Sequence, residues 1–339
     1  MARLSTVLGA LWTAIRRDAS SMASFSGNNF FIVGAVLLFF GDPGAFVSLN
    51  AVIAVILFFP LSTDPLRKIP PTRLALWPLT GRERLWLRIL SPWLNPITWV
   101  LAALAVWKGI GISVWATIAG LFAIVFVMPS LPFGNRNGIG RAMPNLPGPL
   151  NQLIRKDLRQ MVSSLDFYCA LSWSALAVIT RATGRLPSDA RVPVSLVIVL
   201  ALSTIALNLF GPDRKAGMNR YRLLPLRGWQ ILLSKDAAFL VVAALLTAPL
   251  SPLSGISAAL AALAFGHYDS VTLRHDETRW RFRTSKSVGS STAQIVLLIA
   301  AGAGVSTSAL VYFPAVIAFY AVSTWWFGRT LERCPVNGL

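Results

Sequence analysis

Apolar residues along this chain fall into long blocks, not into the stripes of surface helices or the alternation of half-buried strands. Ten blocks approach the roughly 20 mostly apolar residues that a helix needs to cross a bilayer core: 22–41, 45–62, 89–107, 112–132, 162–180, 192–210, 237–252, 254–272, 293–312 and 314–328. The pattern predicts an all-α polytopic membrane protein with about ten transmembrane helices. Block 237–252 is short, and almost no linker separates it from 254–272. Such pairs can also be broken or re-entrant helices, which a membrane tolerates only where protein covers the backbone.

The polar segments between the blocks differ in charge. With the N-terminus placed inside, 27 of the 31 Lys and Arg residues fall on the inner side, and only Lys108, Arg181, Arg185 and Arg191 fall outside. The positive-inside rule then predicts cytoplasmic N- and C-termini, an even number of crossings and small outer loops. Composition agrees: 55% of residues are hydrophobic and 13% charged, about half the charge of a soluble domain. A net charge of +18 would suggest nucleic acid in a soluble protein; here it predicts loops lying against anionic lipid. Cys169 and Cys334 have no metal-ligand or CxxC spacing. No secretory signal precedes the first block, so the N-terminus is expected to be retained in an inner, or cell, membrane.

Two polar segments are written twice. Residues 73–90, RLALWPLTGRERLWLRIL, return 147 positions later as 220–237, RYRLLPLRGWQILLSKDA. Arg73, Leu76, Pro78, Leu79, Gly81 and Leu85 meet identical residues at Arg220, Leu223, Pro225, Leu226, Gly228 and Leu232, and Arg88 meets Lys235. A lead-in segment, AIRRDASSMAS at 14–24, likewise returns as LIRKDLRQMVS at 153–163. Each half then reads as a basic amphipathic lead-in, two spans, a Pro-Leu-x-Gly segment and two more spans. Both halves begin inside, which makes a parallel repeat: residues 1–150, then 151–292, with a two-span hairpin and tail at 293–339. Common design outweighs chance plus the general habit of placing basic residues before spans.

Within the phrase, Pro78 stops a helix and Gly81 permits a turn. Thr80 and Glu83 have the spacing of a capping box, which would start a helix at Gly81. That helix would lie along the membrane surface on Leu85, Trp86, Ile89 and Leu90, with Arg82, Arg84 and Arg88 facing the cytoplasm. In the second copy Arg227 and Gln230 replace the capping pair, so its start is less well specified. A short helix joined to two spans can act as a lever for something gripping it from the cytoplasm.

These segments resemble the membrane subunits of ABC transporters of the ABC-2, exporter-type class. Members carry a Pro-Leu-[Ser/Thr] phrase after the second span, matched by Pro78-Leu79-Thr80 with Leu85-Trp86-Leu87-Arg88, and by Pro225-Leu226-Arg227 with Ile231-Leu232 and Lys235. They also carry a basic-acidic lead-in, matched by Ile154-Arg155-Lys156-Asp157-Leu158. The resemblance implies a permease subunit that is not itself an enzyme, moving an amphipathic or lipid-like solute or peptide outward. It implies coupling contacts to a separate nucleotide-binding ATPase subunit through Pro78, Gly81, Arg82, Glu83, Arg84, Arg88, Pro225, Arg227, Gly228 and Lys235. Arg16, Arg17, Asp18, Arg155, Lys156 and Asp157 would lie at the membrane surface. Further partners would be a second permease or second copy and membrane lipids, with no nucleic acid. This chain would bind no cofactor or metal, ATP and Mg²⁺ belonging to the partner.

The chain has no phosphate-cradling G-x-x-x-x-G-K-[ST]; the cluster GNRNGIGR at 134–141 reads as a turn. Ion-coupled transport needs ionisable residues within spans, and the expected spans hold few, with Asp166 and Asp269 near their inner ends. Two other function classes stay open. One is a scaffold or assembly protein using the same loops; the other is a lipid-modifying membrane enzyme with chemistry at 267–277, where His267, Asp269, His275, Asp276 and Glu277 gather. The default for that cluster is a polar patch ending a span. RWRFR at 279–283 suits anionic headgroups. Gly302 and Gly304 suit close helix packing or a dimer seam. Trp325 and Trp326 read as an interfacial anchor, and Asn95 as a residue that lines a path or bonds a neighbouring backbone.

Overall fold

A computed structural model describes residues 2–17, 77, 79–90, 94, 150–162, 164–184, 186–211, 213, 221, 226–272 and 288–333. The chain divides into two units, Met1–Ser26 with Phe31–Asn135 and Gly27–Phe30 with Arg136–Leu339. The expected spans 22–41, 45–62, 89–107 and 112–132 lie outside the described residues, apart from the first two residues and Leu94 of the third. So do Asp18, Pro78, Asn95, 134–141, Pro225 and 273–287, while Arg16, Arg17, Arg84 and Arg88 are described only as helical backbone. Every described element is a helix, and there is no strand among the described residues.

In the first unit, α1 (Ala2–Arg17) and α2 (Gly81–Leu90) are amphipathic. Val7, Leu8 and Leu11 recur at helical spacing on α1, and Leu11 is buried with Leu79 and Leu87, beside Trp77 and Leu94. The capping box forms as the sequence predicts. Glu83 accepts the Thr80 N–H at 2.9 Å, and Thr80 Oγ1 accepts the Glu83 N–H at 3.3 Å. Leu87, which the sequence pattern does not single out, is the residue this helix buries, while Trp86 is exposed. Helix α1 also starts well before the repeated lead-in segment.

The second unit is a bundle. Helix α3 (Asn151–Val162) meets α4 (Leu165–Ala182) at a 78° bend. Ser164 makes the corner, donating to the Met161 carbonyl at 2.8 Å and accepting the Phe167 N–H at 3.4 Å. Then come α5 (Arg191–Leu207), α6 (Gly228–Thr247), α7 (Pro252–Thr272), α8 (Val288–Thr307) and α9 (Ala309–Arg333). Contacts fix the up-down order. Arg181 at the end of α4 donates to the Pro249 carbonyl after α6, and Ser195 near the start of α5 accepts the Ser251 N–H. At the opposite end, Gly228 opening α6 donates to Glu332 closing α9, and Ser290 opening α8 donates to Asp269 closing α7.

Four of these helices are long and apolar enough to cross a membrane, or five if the bent pair α3–α4 counts as one. They are α5 with its preceding turn, α6, α8 and α9. Helix α7 is as long, but it turns Ser254, Ser257, His267, Asp269 and Ser270 inward. It packs on α5, α6, α8 and α9, so its neighbours shield those groups from lipid. Small residues allow this closeness. A Cβ on Gly266 would stand 2.5 Å from the Ala206 carbonyl oxygen, and one on Gly302 2.2 Å from Leu196. Gly302 thus serves packing within the chain, as does Gly304 against Tyr312. Helix α9 is exposed along most of its length, carries Pro314 inside it, and ends in Trp325, Trp326 and Arg329, whose guanidinium lies 4.1 Å over the Trp325 ring.

One boundary moves far from expectation. Helix α6 begins at Gly228, nine residues before the apolar block that announces it, and it runs straight into the span. The second phrase therefore opens a helix long and apolar enough to cross a membrane, instead of forming a separate short helix. Half of a capping box is present after all, the Gln230 side chain accepting the Arg227 N–H at 2.9 Å. Gly266→Ala should push α5 from α7 at an unyielding backbone contact. We expect a loss of about 1–3 kcal/mol, read as a lowered midpoint in thermal unfolding of the detergent-solubilised protein.

Candidate functional site

The buried ionisable side chains of the bundle gather at the end where α6 and α8 begin and α5, α7 and α9 finish. The largest group is centred on Lys235, eight residues into α6. Its side chain is 2% exposed, yet its ammonium sits 2.7 Å from Asp213 Oδ2 and 3.1 Å from Asp157 Oδ1. An unpaired ammonium in such a place would cost several kcal/mol, so two carboxylates are a physical requirement here. Ser234 Oγ, which donates to the Ile231 carbonyl at 2.8 Å, lies 3.4 Å from the second oxygen of Asp157. Phe210 and Tyr221 add ring faces 4.9 Å and 5.7 Å from the ammonium.

Asp213 is the node. Besides Lys235 it accepts from Lys156 at 2.5 Å, from Gln160 at 3.2 Å and from the Tyr221 hydroxyl at 3.1 Å. Burial alone would raise its pKa, but the charges of Lys235 and Lys156 and their hydrogen bonds outweigh that and hold it at about 2. Burial pushes the Tyr221 phenol up against the pull of Lys235, so it remains a donor. Lys156, 40% exposed, carries the network to the surface of α3.

The arrangement gathers three of the residues singled out in the sequence, Lys156, Asp157 and Lys235, which come from the lead-in segment and the second phrase. It places them differently from the expectation of free surface groups. Lys235 and Asp157 are interior, tying α3 to the first turns of α6. Arg155, also on α3, is half-buried. Gly228 is an interior packing position too: a Cβ there would stand 2.2 Å from the Gly328 carbonyl oxygen. Its counterpart Gly81 has open space around it, and Arg82 is exposed. Arg227 is exposed as well. The two copies of the phrase therefore present different surfaces.

A second buried group stands beside the first. Asp236 on α6 lies 3.2 Å from His267 Nε2 on α7 and accepts the Tyr320 hydroxyl of α9 at 2.8 Å. His267 Nδ1 lies 2.9 Å from Ser323 Oγ, and Ser323 donates to the Ala264 carbonyl at 2.6 Å. Next to it an open apolar cleft of about 310 Å³ runs between α7 and α9, lined by Phe265, Tyr268, Phe319, Ser323 and Trp326. The helix interiors thus hold more ionisable groups than the apolar blocks suggested, because α6 starts early enough to take in Lys235 and Asp236. Asp269 is bound to Ser290 on α8 and does not join His267. No three His, Cys, Asp or Glu side chains among the described residues are placed to hold a metal ion.

Two tests address the Lys235 group. Lys235→Met leaves two carboxylates facing each other in the interior and should cost about 3–5 kcal/mol in urea unfolding, as broken buried pairs do. Asp213 has a folded-state pKa of about 2 against an ordinary 3.8. Its contribution, about 2 kcal/mol, is fully present above pH 4 and lost as pH falls toward 2. The stability gap between the native chain and Asp213→Asn should narrow over that window, measured by fluorescence-detected unfolding. No protein-family model matches the sequence, and no curated protein or solved structure matches it either.

Proposed function

We propose that this chain is the permease subunit of an ABC-2-like exporter, driven by ATP hydrolysis in a separate subunit docked on its cytoplasmic face. The single observation that carries the reading is the Lys235–Asp157–Asp213 group. A basic segment that the sequence marks as a handle is joined by buried ion pairs, not by flexible chain, to the first turns of a span. Force applied to α3 reaches α6 directly, which is what a permease with no nucleotide motif of its own requires.

Further support comes from local structure. Both copies of the phrase start a helix at their glycine, Gly81 and Gly228, and both lead-in segments contribute to helices, α1 and α3. That fits a parallel repeat of four-span units followed by the α8–α9 hairpin, with about ten spans in all and both termini in the cytoplasm of an inner membrane. On this reading the polar end of the bundle faces the cytoplasm, where Trp325, Trp326 and Arg329 anchor it at the lipid boundary. The exposed Arg82 of α2, with Arg84 on the same helix, would offer the handle of the first copy, while Lys235 acts behind the surface of the second. The transported solute would be amphipathic or lipid-like, and the working unit would pair this chain with a second permease or a second copy of itself.

Affinity purification of the full chain from its native membrane should bring down a soluble protein that carries a phosphate-binding G-x-x-x-x-G-K-[ST] motif and hydrolyses ATP. Replacing Arg82 and Arg84 by Glu, with the capping residue Glu83 left in place, should reduce the recovered ATPase at least tenfold while membrane insertion stays unchanged. A native preparation free of such an ATPase, in which the chain alone reconstituted in vesicles still moves solute, would overturn the proposal.

A further inference from the structure

The protons of the second buried group can be counted. Ser323 has one hydroxyl proton, and its 2.6 Å contact with the Ala264 carbonyl requires it, because two lone pairs at that distance repel. Ser323 must then accept from His267, which places a proton on Nδ1 at 2.9 Å. The other ring nitrogen, Nε2, faces both oxygens of Asp236 at 3.2 Å. With a bare Nε2 and an ionised Asp236 this contact would set acceptor against acceptor. A proton is needed between them, as imidazolium with carboxylate or as imidazole with carboxylic acid. Tyr320 does not supply it, since its own proton goes to Asp236 Oδ2 at 2.8 Å.

The surroundings favour this neutral, proton-bearing state. His267 and Asp236 are both fully buried, and an unbalanced carboxylate there would cost several kcal/mol. From α6 the titratable group facing His267 is Asp236, and from α9 it is Tyr320. Lys235 points instead to Asp157 and Asp213, and Asp269 to Ser290. Helix α8 contains no charged residue, and α5 has only Arg191, at its far end. The rings of Tyr320 and Phe327 on α9 also stand beside the imidazole.

We propose that His267 and Asp236 form a proton-binding site inside the bundle, and that the bound proton clamps α9 against α6 and α7. The four side chains come from those three helices, so the proton is the element that makes their hydrogen bonds compatible. Removing it leaves a buried negative charge and sets Nε2 against Asp236, which loosens the seat of α9. The clamp holds while the proton is bound and fails when it leaves, so it weakens toward alkaline pH. This site does not depend on the permease reading; it holds for any activity of the chain.

The sequence contains two histidines, His267 and His275, so His275→Gln leaves one ring to observe. Nitrogen-15 NMR of that full-length variant, histidine-labelled in lipid nanodiscs at pH 7, reports the state of each ring nitrogen. Infrared spectroscopy of the same sample reports a protonated carboxyl. Two protonated nitrogens, or a protonated Nδ1 with a carboxylic-acid band lost in Asp236→Asn, are the expected results. In Asp236→Asn the amide donates to Nε2 in the same geometry, so the ring should become neutral with its proton on Nδ1. Thermal stability of the parent should fall with rising pH, and that fall should flatten in Asp236→Asn. A neutral ring in the parent with its proton on Nε2 and no carboxylic-acid band would overturn the proposal, as would a stability profile unchanged by Asp236→Asn.

Discussion

The bundle depends on one buried ammonium. Lys235 enters α6 about 10 Å from its start and can remain there only because Asp157 from α3 and Asp213 from the segment after α5 neutralise it. Three stretches distant in sequence are thereby fixed to one point. Such pairs add little net stability compared with an apolar core, but they penalise wrong arrangements heavily. Here the arrangement they specify is the angle at which α3 leaves the bundle, turned by Ser164, and the depth at which α6 begins. The interior position of the Gly228 backbone follows from the same constraint.

Much of this architecture was legible in the sequence, and the exceptions share a cause. The six blocks from 162 to 328 each correspond to a helix, because an apolar run of that length has few alternatives. The Thr80–Glu83 capping box and the packing of Gly302 were readable as local chemistry. The start of α6 was not, since Ser234, Lys235 and Asp236 look like water-facing residues until their partners are known. Those partners lie 22 and 78 residues away for Lys235 and 31 residues away for Asp236, and no local periodicity encodes such distances. The signal that was available is compositional. With only 13 acidic residues against 31 basic ones, an acid at Asp157, Asp213 or Asp236 is an exception that asks for a reason.

The two polar groups sit side by side and differ in kind. The Lys235 group is built of full charges matched in sign, with Lys156 at the surface. On the proposal above, the His267 group is neutral only while a proton is present, and its ring and carboxylate are both fully buried. Adjacent residues of one helix, Lys235 and Asp236, feed the two, so α6 is fastened to α3 on one flank and to α7 and α9 on the other. A displacement of α3 would then be felt by a helix whose opposite face carries the proposed proton-bearing contacts as well as its packing on α7 and α9.

Helix α9 brings a further consequence. At 25 residues it spans roughly 37 Å, against a hydrocarbon slab of about 30 Å. Its first residue lies only about 26 Å from the indoles of Trp325 and Trp326, so the surplus falls beyond them, in the turns that carry Arg329, Glu332 and Arg333. Toward the other end Pro314 offers no N–H to the Leu310 carbonyl, and Leu310 itself is 91% exposed. With the indoles at one lipid boundary, the charged last turns extend into water, and the weakened first turns fall near the opposite headgroups.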